Sequence, residues 1–170
     1  MAVITPTDPG IGNDAHTVIQ AAYTAGNDGD LIDVSAWSNG DRFFNGVVNT
    51  TKKISFKGPG TGLVFKRNDA TSDATVLEWL YMIKYTINSD FPCGITFSGI
   101  TLKSKTPSAN NGADGFSMVA DRGLGFTNAV DFKVFDCGFE NFGDGGLEIR
   151  HRDYLARGLV YDCDFTHNVK

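Results

Sequence analysis

Cysteine, net positive charge and long apolar runs are all scarce in this chain, and each shortage closes off a class. Three cysteines among 170 residues leave at least one thiol unpaired. Lys and Arg number 15 against 20 Asp and Glu, for a net charge of −5, which argues against general nucleic-acid affinity. No stretch approaches the roughly 18 apolar residues of a membrane-crossing helix, so no membrane insertion is expected. Met1-Ala2-Val3-Ile4-Thr5-Pro6 lacks the basic-then-apolar order of a secretion signal. Gly58-Pro59-Gly60-Thr61-Gly62 is glycine-rich, yet no Lys-Ser/Thr pair follows it, so it reads as a turn and not a phosphate loop. Glycine itself is plentiful, and 20 of them suit a chain that turns many times. A length of 170 residues can bury one core, and a single domain is the default.

The turns punctuate a repeat. Val134-Phe135-Asp136-Cys137-Gly138-Phe139 returns as Val160-Tyr161-Asp162-Cys163-Asp164-Phe165, 26 residues later. Each copy alternates two sets of side chains: Val134, Asp136 and Gly138 against Phe135, Cys137 and Phe139, or the same sets shifted by one. That is strand periodicity, not helix periodicity. Ile95 to Leu102 carries the same alternation 37 residues before Phe132 to Phe139, and Ile54 to Gly58 resembles its first half another 41 residues upstream. Between these runs, Asp114-Gly115-Phe116-Ser117-Met118 answers Asp144-Gly145-Gly146-Leu147-Glu148-Ile149 at a spacing of 30 residues. Two interleaved rows of short strands, joined by turns of variable length, describe a chain that winds helically. A sandwich is the competing arrangement, but it gives no reason for one motif to recur in the same sense.

On these residues the chain resembles the pectate-lyase-like family of right-handed parallel β-helices. Asn13 to Gly26 looks like the amphipathic helix that plugs the amino end of such solenoids. Asn13 or Asp14 can cap it, Val18, Ile19 and Ala22 share a face, and Gly26 suits a left-handed terminating position. Gly29-Asp30-Leu31-Ile32-Asp33-Val34 is similar to the strand that opens a first coil, and Lys53 to Gly60 to a coil with its turn. The resemblance implies an all-β fold: a right-handed parallel β-helix (solenoid) with an N-terminal capping α-helix. Residues 1–28 would form the N-terminal segment and cap, and residues 29–170 the coils. Thr166-His167-Asn168-Val169-Lys170 reads as a turn into a strand that never arrives. The coils are therefore expected either to continue in a longer chain or to be covered by a partner in a homo-oligomer such as a trimer.

The resemblance does not settle an activity, because that fold carries lyases, hydrolases, epimerases and non-enzymatic adhesive spikes. The polygalacturonase elements Asn-Thr-Asp, Asp-Asp, Gly-His-Gly and Arg-Ile-Lys are absent, as is the Asp-Pro-His of alginate epimerases. The richest polar stretch is Asn141 to Tyr154. With Leu147 and Ile149 inward, Glu148, Arg150 and Arg152 would project from one face. Ser117 should lie beside Glu148 on the adjacent coil, with Arg122 at the edge. A carboxylate flanked by arginines binds an acidic sugar, or abstracts a proton while Arg stabilises the enolate-like charge. His151 titrates in the useful range. Glu148, Arg150 and His151 form the candidate catalytic set, and Asp114, Ser117, Arg122, Asp144, Arg152 and Tyr154 the candidate substrate contacts. The plainer reading is a solvated strand face whose ion pairs are each worth under about 1 kcal/mol.

Asp114-Gly115 and Asp144-Gly145 invite comparison with the paired acids of glycosidases, about 5–10 Å apart. They read more simply as turns in which Asp bonds the backbone and Gly takes positive φ. Cys137 stacked on Cys163 at about 4.8 Å suits a ladder of small buried side chains, and a disulfide there would be torsionally awkward. Asp136, Asp162 and Asp164 form an acidic stripe if they face outward, an invitation to Ca²⁺ with too few ligands for a site. No other cofactor is implied. Trp37, Phe43, Phe44, Trp79 and Tyr81 read as core and cap packing, with one of Trp37, Trp79 or Tyr81 left exposed for a sugar to stack on. The expected function is recognition of a polysaccharide or cell-surface glycan by a structural protein of the tail-spike or surface-fibre kind, outside the cell or on a virion. The alternative is the N-terminal portion of a polysaccharide lyase, glycoside hydrolase or epimerase acting on acidic polysaccharide.

Overall fold

A computed structural model describes residues 1–44, 46–67, 81–87, 94–104, 122–127, 131–142, 145–150 and 158–167. In chain order the elements are β1 (Val3–Ile4), α1 (His16–Ala25), β2 (Leu31–Asp33), β3 (Gly40–Phe43), β4 (Val48–Thr50), β5 (Ser55–Lys57) and β6 (Leu63–Lys66). There follow β7 (Tyr81–Thr86), β8 (Thr96–Lys103), β9 (Arg122–Thr127), β10 (Phe132–Glu140), β11 (Gly145–Arg150) and β12 (Gly158–Thr166). The larger sheet runs β1-β2-β5-β8-β10-β12, with β3 beside β6 and β6 beside β8; the smaller runs β11-β9-β7-β4. Every strand pairing among the described residues is parallel. Parallel neighbours cannot be joined by a tight hairpin, so the chain must leave the sheet and return between them. It does so by visiting the other sheet: from β7 onward, successive strands alternate strictly between the two.

The repeat read from the sequence is the register of the larger sheet. Cys137 pairs with Cys163, Val134 with Val160 and Phe139 with Phe165 across β10 and β12. Phe97 pairs with Val134 and Leu102 with Phe139 across β8 and β10, and Phe56 pairs with Phe97. Like therefore lies over like, and apolar columns result. One column runs Ile32, Phe56, Phe97, Val134; another runs Phe65, Leu102, Phe139, and all seven side chains are wholly buried. Phe56 stacks on Phe97 with ring centroids 5.0 Å apart, about one strand spacing. The expected spacing of the second row does not hold. Gly145 pairs with Arg122 and Leu147 with Leu124, an offset of 23 residues instead of 30. The Asp-Gly resemblance therefore does not report register.

Neither parity set drawn from the repeat is the inward one. Val134, Cys137 and Phe139 are all buried, Phe135 is only partly so, and Asp136 is exposed. The reason is backbone conformation. Asp136 has φ 52°, and its register neighbours Gly99 and Asp162 have φ 74° and 51°. A single left-handed residue bends each long strand and restarts the in-out alternation beyond it. Two further columns share this conformation, Gly94 with Asp131 (φ 60° and 56°) and Asn141 with His167 (φ 61° and 55°). Aspartate and asparagine tolerate this region better than other residues that carry a Cβ. At the bend, close approach excludes a side chain at both Gly58 and Gly99: a Cβ on Gly58 would lie 2.1 Å from the Gly99 carbonyl oxygen, and one on Gly99 2.5 Å from that of Gly58.

Helix α1 packs Ile19, Ala22 and Tyr23 against the core, with Val18 partly buried beside them. Asp14 serves its start, accepting from the His16 N–H at 3.2 Å and the Thr17 hydroxyl at 3.1 Å. Gly26, expected to be left-handed, is extended at φ −70°. A Cβ there would lie 2.8 Å from the tip of the Ile54 side chain and 3.0 Å from that of Ile4. The last carbonyls of the helix are met instead by the Lys52 ammonium, which donates to Thr24 and Gly26 at 2.6 Å each. Among the described residues no helix is long and apolar enough to cross a membrane. Among the described residues, β12 is the last strand in the order of the larger sheet. Leu159 is 53% and Phe165 52% exposed, although Phe139, the register partner of Phe165, is wholly buried.

Candidate functional site

The acidic-basic stretch expected to do chemistry begins on β11, the edge strand of the smaller sheet. Glu148 is half-buried there, with Arg150 two positions further along the strand. The residue beside Glu148 on the neighbouring strand is Gly125, not Ser117. Arg122 pairs with Gly145, while Thr127 takes the place beside Arg150. Arg122 and Arg150 thus stand at opposite ends of their strands, about 16 Å apart along the strand direction at about 3.3 Å per residue. Leu147 packs against the core as expected, but Ile149 is 44% exposed on this edge strand, which among the described residues has β9 as its one neighbour in the sheet. His151, Asp114, Ser117, Asp144, Arg152 and Tyr154 lie outside the described residues.

Both cysteines of the repeat are free thiols. Cys137 is wholly buried, and burial pushes its thiol up to about 12. Cys163, on the outer strand, is partly exposed, and its thiol is raised in the same direction by the burial it has. Asp136 and Asp162 share a column and both face solvent, but Asp164 pairs with Gly138 in another. Among the described residues no three His, Cys, Asp or Glu side chains converge on a point that could hold a metal ion. Trp37 is buried, its indole N–H donating to the Pro6 carbonyl at 2.9 Å, and Phe44 is wholly buried.

The outer face of the larger sheet carries a site that the sequence did not suggest. Its columns follow the same register: Leu31, Ser55, Thr96 and Lys133 in one, and Asp33, Lys57, Ser98, Phe135 and Tyr161 in the next. Phe135 and Tyr161 stack face to face, centroids 5.1 Å apart and planes within 7°. Where the aromatic pair ends, a groove of about 480 Å³ opens, lined by Lys57, Ser98, Phe135 and Asp136 and rimmed by Gly58 and Pro59. Ser98 lies at its floor and is only 4% exposed. Asp33, beside Lys57, is held below the usual carboxylate range, first by the Ser35 hydroxyl and with a smaller contribution from the Lys57 charge. The signal that could have revealed this face is the aromatic residue in both copies of the repeat, one position after the valine.

Comparison with known protein families, with curated proteins and with solved structures returned no match.

Proposed function

We propose that this chain is a right-handed parallel β-helix and acts as a carbohydrate-recognising structural protein, of the kind that builds phage tail spikes and surface fibres, outside the cell or on a virion. The observation that carries the reading is the in-register stack. Successive passes through the larger sheet place equivalent residues at one strand spacing, while the chain returns through the second sheet. An array of equivalent outward positions along one axis is a template for a linear polymer, and its hydroxyl, charged and aromatic columns are groups that saccharides use. The apolar residues left open on β12 are consistent with cover by further copies, as in a trimer, or by further coils of a longer chain.

Two measurements test this. Binding of the purified protein to a broad glycan array should retain at least one oligosaccharide class, and light scattering should give the mass of a trimer. An empty array together with a monomeric mass would remove the reading. Release of unsaturated oligosaccharides from polygalacturonate or alginate, lost in Glu148→Gln, would replace it with a lyase built around β11.

A further inference from the structure

We infer that the groove on the outer face of the larger sheet is a saccharide subsite that takes one pyranose ring, edge-in, over Ser98. The inference rests on the glycan reading above and names where contact is made. Three observations carry it.

The first is an interrupted stack. Phe135 has one face against Tyr161, and its other face looks across Ser98 toward Lys57. Lys57 and Phe135 sit on strands two apart, so about 9.6 Å separates their columns at about 4.8 Å per strand. Serine, between them, is too short to fill that interval. A six-membered ring placed there would lie one strand spacing from Phe135, as Tyr161 does on the opposite face at 5.1 Å. The aliphatic stem of Lys57 would cover its other side.

The second is an unpartnered hydroxyl. Ser98 is 4% exposed, yet among the described residues its Oγ has no hydrogen-bond partner. Buried polar groups are nearly always paired, and leaving one unpaired costs free energy. Ser98 is among the residues that line the groove, so a group that enters can meet this hydroxyl.

The third is the chemistry of the rim. Asp136, Lys57 and Thr96 line the slot together with the apolar Phe135, Leu31 and Met1. Apolar faces within a polar circumference match a pyranose, whose ring carbons present C–H groups on one side and whose edge carries hydroxyls. A flat aromatic ligand would satisfy the walls but leave Ser98 unmet. The volume, about 480 Å³, lies in the range of small-molecule sites.

The experiment is nuclear magnetic resonance on the full chain, with methyl β-D-glucopyranoside as probe and benzyl alcohol as the apolar control. The glycoside should bind with a dissociation constant on the order of millimolar, as suits one small ring. Shift changes should centre on Thr96, Ser98 and Phe135. Ser98→Leu, which fills the slot, should abolish them, and Phe135→Ala should weaken binding by about tenfold. Ser98→Ala keeps the slot and removes the hydroxyl, so it should weaken binding less and serves where the leucine variant fails to fold. Shift changes that map elsewhere, or a groove that accepts benzyl alcohol and not the glycoside, overturn the subsite. If the array still retains oligosaccharides in that case, the glycan reading survives without it. If neither the array nor the glycoside gives binding, the subsite falls, and a monomeric mass removes the glycan reading with it.

Discussion

Removing the Asp8 carboxylate should expose how the N-terminal segment is tied to the larger sheet. Arg42 pairs with Phe65 at the start of an apolar column, and its side chain is wholly buried. Asp8 reaches it from the extended N-terminal segment with two near-parallel bonds, Nε to Oδ1 at 3.0 Å and Nη2 to Oδ2 at 2.8 Å. In Asp8→Ala the guanidinium keeps only the Gly40 and Ser38 carbonyls at 3.2 Å each and the Ser38 hydroxyl at 3.0 Å. Breaking a buried pair by deleting one partner costs about 3–5 kcal/mol. Asp8 is 27% exposed, and the remaining acceptors satisfy part of the guanidinium, so about 2–3 kcal/mol is the expected cost. At about 2–4 °C per kcal/mol for a chain of this size, Tm should fall by about 5–10 °C. The urea midpoint should fall with unchanged slope. Arg42→Met, which removes the charge and keeps the volume, should cost under about 1.5 kcal/mol. Adding Asp8→Ala to Arg42→Met should cost little more. If Asp8→Ala shifts Tm by less than about 2 °C, or Arg42→Met proves the worse of the two, the carboxylate is not what compensates the buried guanidinium.

Acid should act through the same carboxylate and through Asp30. Asp8 is held below its ordinary value chiefly by the Arg42 hydrogen bonds, and Asp30 by the N–H groups of Ala2 and Asn27. A lowered folded-state value means stabilisation that is present above the unfolded pKa of about 3.9 and lost as pH falls through the folded one. Tm measured from pH 6 downward should therefore drop below about pH 4, less steeply in Asp8→Ala. Asp162→Gly should be neutral, whereas Asp162→Ala should cost about 1 kcal/mol in urea unfolding, because alanine meets its Cβ penalty at φ 51°. Gly58→Ala should cost about 3 kcal/mol or more, since its contact is with backbone that has nowhere to move. Peptide mapping after brief maleimide treatment of the native protein should find Cys163 labelled well before Cys137, and equal rates would contradict the burial difference.

The larger sheet was legible because its repeat is written in residues that stack on their own kind. Val134 on Val160 and Cys137 on Cys163 need only a constant offset to be seen. The smaller sheet was not, because Gly145 lies beside Arg122 and Glu148 beside Gly125, pairs with no chemical likeness. Inward and outward faces were ambiguous for a local reason: a left-handed aspartate looks in sequence like any polar strand residue. The groove was hidden by distance along the chain. Lys57, Ser98 and Phe135 are successive members of one column, yet they share no residue type.

The bend at Asp136 has a consequence for how such a chain tolerates insertion and deletion. Each long strand is divided there into two reading frames, one ending at Phe135 and one starting at Cys137, and neither inherits its phase from the other. One residue gained within either half would turn every later side chain of that half inside out. The same residue gained at the junction would fall where the backbone already departs from the pleat, leaving both buried faces in place.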